Sequence, residues 1–289
     1  MSDLRKLLVF EHIPKTAGST MHAILWRLYG GKGVYLVTHP RQHRERLDAL
    51  CRHLQDPANP LCAIIAHTGF GFHKWLPSDY RYVQYTFLRD PVERVFSHYH
   101  YQIQRGKLDP SISLESFIRE DLGRSCNVQT AFLGGLELRR NLEGITLSPD
   151  LYTEELLEQA KANLSRLAVF GLTERFDESL LLFKEVFGWK WTRIFYVRQR
   201  VGQRRPAQPD YSDTILRLIR RYNELDLELY SYAQALFPQQ QATLMHQGRP
   251  TLKTFQKLNA VYGSVFNLTY PYVRPVAHKI RALKEQIET

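Results

Sequence analysis

Residues 7–20 read Leu-Leu-Val-Phe-Glu-His-Ile-Pro-Lys-Thr-Ala-Gly-Ser-Thr. Leu7–Phe10 is a short apolar run of the kind that forms a buried strand. Pro14 and Gly18 interrupt regular structure behind it. Ser19 and Thr20 are N-cap residue types, and Met21, Ile24, Leu25 and Leu28 then recur at i, i+3, i+4 and i+7, the stripe of an amphipathic helix. A strand that turns tightly into a helix aims backbone N–H groups and the positive end of the helix dipole at one spot, which suits a phosphate-like anion. Lys15 adds a full charge inside that loop, and Ser19 and Thr20 add hydroxyl donors. An ordinary strand-to-helix turn with a solvated lysine has the same local pattern. A Walker A loop does not: it needs a Gly-Lys-Ser/Thr ending that this chain lacks, and Gly30-Gly31-Lys32-Gly33 reads as the cap and turn after the first helix.

A second strand-to-helix junction follows. Tyr82–Leu88 reads as a strand, and Arg89-Asp-Pro-Val-Glu-Arg-Val-Phe-Ser97 opens a helix. Asp90 is the expected N-cap, Pro91 the first helical residue, and Glu93 the far half of a capping box. Arg89, at the strand's end, carries the planar fork that holds phosphate oxygens. Between the two junctions, Leu61–Ala66 is a buried-strand pattern ending at His67, with His73 further along. Past the carboxyl end of a strand is where an open α/β sheet keeps its working residues, and histidine suits base chemistry near neutral pH.

The chain has 289 residues, 44% hydrophobic and 12% aromatic, with a net charge of +10. These are globular values with room for a large α/β domain and an appendage. The basic excess favours acidic partners without choosing among them. No apolar run is long enough to span a membrane. The opening Met-Ser-Asp-Leu-Arg-Lys has no signal-peptide core, so the expected setting is cytoplasmic. Cys51, Cys62 and Cys126 form no Cys-x-x-Cys and cannot all pair, so reduced thiols are expected.

Further along, Val34–Val37, Ala168–Gly171 and Arg193–Val197 read as short strands, and Arg41–Gln55, Leu114–Asp121, Asn127–Leu133, Thr153–Leu167 and Asp177–Phe187 as helices. Ser212–Leu236 reads as one long helix ended by Pro238. Gln239–Gln241 and Gly248-Arg-Pro250 look like linkers, followed by helices over Leu252–Val265 and Val276–Ile287. The expected architecture is a three-layer α/β domain over 1–237, a mostly parallel sheet flanked by helices, with a helical extension over 238–289.

Taken together, the two loops resemble those of the carbohydrate sulfotransferases, in the branch that includes heparan sulfate 2-O-sulfotransferase. His12–Thr20 is similar to that family's 5′-phosphosulfate loop, and Thr86–Ser97 to its 3′-phosphate segment. Asn127-Val-Gln-Thr, Gly171–Ser179 and Asn223–Tyr230 are further matches, so the likeness runs over about residues 5–237. It implies a fold like that of P-loop kinases in outline and 3′-phosphoadenosine 5′-phosphosulfate as donor, with no metal required. It also implies that Lys15, Thr16, Ala17, Gly18, Ser19 and Thr20 hold the 5′ end, that Arg89 and Ser97 hold the 3′-phosphate, and that Arg198 or Arg200 closes on the nucleotide. Lys15 would meet charge on the leaving phosphate, and His67, with His73 as the alternative, would be the base. Where the heparan enzyme has His-x-His, this chain has Ile65-Ala66-His67. The implied acceptor is a hydroxyl, most simply on an anionic saccharide, with no nucleic acid and at most peripheral membrane contact. A nucleotide kinase or a silent anion-binding module are the competing readings of the same basic loops.

Overall fold

A computed structural model of the chain describes residues 4–37, 43–120, 125–198, 212–244 and 251–266. Five strands form its sheet: β1 Arg5–Glu11, β2 Val34–Val37, β3 Ala63–Ala66, β4 Tyr80–Leu88 and β5 Val169–Leu172. Their spatial order is β2-β3-β1-β4-β5, and every neighbouring pair is parallel. The helices are α1 Gly18–Tyr29, α2 His43–Gln55, α3 Pro91–Gln104, α4 Leu114–Glu120, α5 Val128–Leu133, α6 Leu136–Glu143, α7 Glu154–Arg166, α8 Phe176–Phe187, α9 Asp213–Tyr222 and α10 Glu224–Leu244. A last helix, α11, covers 252–266.

The apolar run in β1 exists because both sheet faces are covered. Leu8 and Phe10 pack with Met21 and Ile24 of α1 and with Phe183 of α8, while Leu7 and Val9 pack with Leu47, Leu50 and Leu54 of α2. Alternate side chains go to opposite faces, and a parallel sheet buries both. Each such Leu or Phe contributes about 1.5–3 kcal/mol on burial. A third cluster joins α3, α4 and α9 through Val95, Phe117 and Ile219. From β1 the chain fills one side of the sheet with β2 and β3, then crosses to β4 and β5 on the other. The carboxyl end of β1 is therefore the crevice where open α/β sheets bind ligands.

Several local expectations need correction. Helix α1 begins at Gly18, not after a Ser19 or Thr20 cap: Ala17 is the cap residue, left-handed at φ 65°, and no side chain caps it. The Arg193–Val197 strand does not form. A 3-10 turn at Trp191–Arg193 leads into extended chain whose backbone bonds elsewhere: Tyr196 N–H donates to Asn259 Oδ1 (2.7 Å), and Arg193 O accepts from Arg27 Nη2 (2.8 Å). The long helix breaks at Asn223, whose side chain donates to Ile219 O (2.9 Å) and accepts from Asn127 N–H (3.1 Å). Pro238 does not end α10, which runs to Leu244. The hydrogen bond it removes is the one to the carbonyl of Gln234, an exposed residue. Gln239–Gln241 is thus helical, and the Gln240 side-chain amide pairs with both Phe170 N–H (3.0 Å) and Phe170 O (2.9 Å) on β5. The 237/238 division falls inside this helix, and Phe255 of α11 lies buried in the main core. Helix α6 was not anticipated, and the Val276–Ile287 segment lies outside the described residues.

Candidate active site

The loop after β1 is held by its own backbone geometry. Lys15 and Ala17 both take positive φ (73° and 65°), a conformation uncommon outside glycine. Thr16 is buried, and its Oγ1 donates to Ile13 O (2.9 Å), so this hydroxyl closes the loop. With no side-chain cap on α1, the first-turn amides of Gly18 and Ser19 are left to a ligand or to water. Gly18 is required by packing: a Cβ there would lie 1.6 Å from His12 Nε2. The Lys15 ammonium rests 3.9 Å from the ring centroid of Tyr101 on α3, a cation–π contact. Glu93, Ser97, Tyr101 and Arg105 follow at spacings of four along α3 and its cap, so Ser97 shares the face that Lys15 meets.

Arg89 ties the second junction to the first. Its Nη1 donates to Lys15 O at 3.1 Å. Nη2 reaches Glu93 Oε2 at 3.3 Å, and Nε lies 4.0 Å from Glu174 Oε1. Asp90 caps α3 as expected, accepting from Glu93 N–H (3.0 Å), with Pro91 at the first position. The reciprocal half of the capping box is replaced: Asp90 N–H donates to Glu174 Oε1 (3.1 Å), and the Glu93 carboxylate turns to Arg89 instead.

Three distant segments brace this turn. Gln129 on α5 grips the backbone of Arg89 from both sides, accepting from its N–H (2.9 Å) and donating to its carbonyl (2.8 Å). The start of α5 is fixed by the buried Asp226 carboxylate, which accepts from Gln129 N–H (3.1 Å), Thr130 N–H (2.7 Å) and Thr130 Oγ1 (2.8 Å). Burial raises the Asp226 pKa despite the opposing charge of buried Arg94 and these donors. Asn127, itself at φ 46°, accepts from Asp226 N–H (3.0 Å). From the other side, Thr173 Oγ1 donates to Leu88 O (3.0 Å), and Tyr230 O–H donates to Glu174 Oε2 (2.6 Å). The segments around Asn127, Glu174 and Asp226 hold the Arg89 turn in shape.

Histidine enters from β3. Register pairs Glu11 with Ala66, so the next residues, His12 and His67, stand side by side. Their ring centroids are 4.0 Å apart, and His12 Nδ1 lies 3.2 Å from Nε2 of His22 on α1. His12 is buried and stacked on Phe10. Burial, then the charges of His67, His22 and Lys15, hold its pKa well below the usual histidine range, so it is neutral at pH 7. His73 lies apart from these three, with its ring against Phe70 and its pKa lowered by burial and then by Lys74.

A family model for galactose-3-O-sulfotransferases matches residues 2–256. The chain belongs to that family. It is similar to heparan-sulfate 6-O-sulfotransferase 1-B of Danio rerio, 29% identical over 180 residues, which are 53% of this chain and 43% of the relative. It is also similar to human heparan-sulfate 6-O-sulfotransferase 1, 29% identical over 189 residues (56% and 44%), and to heparan-sulfate 6-O-sulfotransferase 2 of Danio rerio, 32% over 184 residues (55% and 38%). The chain spans less than half the length of these curated relatives.

For this family member, the residues singled out from the sequence divide as follows. Lys15–Thr20, His67 and Arg89 follow the carboxyl ends of β1, β3 and β4, and Ser97 lies on α3 one turn before Tyr101. Arg198 is exposed and lines a different cleft, with Asp177, Tyr196 and Asn259. Arg200 lies outside the described residues. Sequence reasoning assigned no role to Tyr101, Gln129, Glu174, His12 or His22. His12, Gln129 and Glu174 lie inside the family-like segments His12–Thr20, Asn127–Thr130 and Gly171–Ser179, and Tyr101 follows Ser97 by one helical turn, while His22 carried no signal.

Proposed function

We propose that this chain transfers a sulfuryl group from 3′-phosphoadenosine 5′-phosphosulfate to a saccharide hydroxyl. The observation that carries the reading is the 3.1 Å bond from Arg89 Nη1 to Lys15 O, which joins two anion-suited junctions beside His67. The first-turn amides of α1, without a capping side chain, fit a 5′-phosphosulfate group. Arg89 and Ser97 fit the 3′-phosphate; Glu93, whose side chain is 42% exposed, releases the guanidinium by swinging into water.

The donor supplies an activated sulfuryl group on a phosphate leaving group. His67 takes the acceptor's hydroxyl proton as the acceptor oxygen bonds to sulfur. Lys15 leaves the Tyr101 ring to meet negative charge on the departing phosphate oxygen, a contact of most value in the transition state. His12, neutral and against the His67 ring, adds no charge to resist His67 becoming imidazolium. The heparan-sulfate relatives and the basic surface support an anionic glycan as acceptor.

The test compares thermal shifts and then turnover. 3′-Phosphoadenosine 5′-phosphate at a hundred times its Kd stabilises the fold by about 2.7 kcal/mol. ADP, lacking the 3′-phosphate, gives a much smaller shift at the same concentration. Equal shifts remove the 3′-phosphate assignment. Labelled-donor transfer to heparan-type and galactose-terminated oligosaccharides then reports the acceptor, and no transfer to any glycan overturns the saccharide reading.

A further inference from the structure

Three imidazoles converge beneath the loop, and the sulfuryl-transfer reading uses one of them. His12 comes from the end of β1, His22 from the second turn of α1, and His67 from the residue after β3. One nitrogen of each lies within 4.8 Å of one nitrogen of the other two. We propose that His12, His22 and His67 form a binding site for a divalent transition-metal ion of zinc's class.

Zn–N bonds of about 2.0–2.1 Å in a tetrahedral site place ligand nitrogens roughly 3.3 Å apart. The His12 Nδ1–His22 Nε2 separation is already 3.2 Å. The remaining edges close by about 1.5 Å at most against that tetrahedral spacing, which small ring rotations of half-buried His22 and His67 provide. His12 is the fixed member, stacked on Phe10 at 5.2 Å with its backbone N–H donating to Ala66 O (2.8 Å). Gly18 leaves the space its ring occupies. Imidazole suits zinc, copper, nickel and iron, and three protein ligands leave a fourth position for water or an anion. Lys15, whose charge reaches His12, opposes the dication and weakens the site. Elsewhere the only comparable group among the described residues is the exposed trio Glu154, Glu158 and Glu228, in which Glu158 and Glu228 already hold Lys161.

Metal binding itself is independent of the proposed activity; its consequence rests on that reading. An ion on His67 occupies the lone pair a base needs, so zinc inhibits sulfuryl transfer and a chelator restores it.

The experiment titrates the untagged full chain with Co(II) and then displaces it with Zn(II). The expected result is one Co(II) per chain, with the intense visible bands of a low-coordinate nitrogen site. His22→Asn and His22→Gln should each weaken uptake about 100-fold or more, beyond the 10–100-fold typical of removing an outer-shell partner. Both variants should melt like the parent and keep its metal-free turnover. Weak uptake that is the same in parent and variants overturns the site. His22-dependent uptake with no effect of zinc on turnover sustains the site and removes His67 as the base.

Discussion

Glu11 offers a test of the electrostatics beneath the loop. Its side chain is 2% exposed at the end of β1. Gln84 Nε2 donates to its Oε1 at 2.9 Å, while Oε2 has no hydrogen-bond partner among the described residues. Burial, only partly offset by Gln84, lifts its pKa from 4.5 to about 8. Below pH 4.5 both folded and unfolded chains hold this proton, so pH has no leverage through it. Between the two values the unfolded chain releases the proton and the folded chain keeps it, so stability falls as pH rises, flattening above about 8. At about 1.36 kcal/mol per pKa unit the full loss is on the order of 5 kcal/mol. Glu11→Gln keeps the shape and the Gln84 bond but cannot ionise. It should match the parent within ~1 kcal/mol near pH 5 and exceed it by a few kcal/mol at pH 8, or roughly 2–4 °C in Tm for each kcal/mol. Urea denaturation of ligand-free protein from pH 5 to 8.5 measures this directly. Parallel stability curves for parent and variant would refute a neutral buried Glu11.

The remaining expectations concern the site. Lys15→Ala and His67→Ala should each lower kcat while leaving the thermal shift from 3′-phosphoadenosine 5′-phosphate largely intact; a lost shift would make them binding residues instead. Arg89→Ala should abolish most of that shift, as read by calorimetry, since it removes both the proposed 3′-phosphate ligand and the bond to Lys15 O. Gly18→Ala should cost about 1–3 kcal/mol by driving a methyl into the His12 ring, and should shift the His12 imidazole resonances; an unperturbed spectrum would contradict the packing. Asp226→Ala should cost about 1–3 kcal/mol in denaturant unfolding because it leaves the buried α5 donors of Gln129 and Thr130 without their acceptor. A loss under 1 kcal/mol would show the cap is dispensable.

The sequence exposed what local rules control. β1, the Lys15 loop, the Asp90–Pro91 helix start and the Gly30 cap follow from apolar runs, Pro and Gly placement and capping chemistry, and each lies where those rules put it. Contacts between distant segments were hidden. His12 and His67 are 55 positions apart and meet only through the β1–β3 register. The Arg193–Val197 pattern looked like a strand because alternate residues are buried, yet a strand needs a partner, and a side chain of α11 takes the Tyr196 amide instead. The apolar stripe across Ser212–Leu236 ran on through Asn223, whose role depends on Asn127. Pro238 misled because an exposed helix face can let water satisfy the carbonyl it abandons.

The clasp of Asp226 on Thr130 joins residues 96 positions apart. A ribosome making this chain has long since released Lys15, His67 and Arg89 when residue 226 is added. Until then the start of α5 lacks the carboxylate that accepts its first amides, those of Gln129 and Thr130. The surface around Arg89 is thus completed only after residue 226 has been added, and a nascent chain halted before that point carries Lys15, His67 and Arg89 without the frame that orders them.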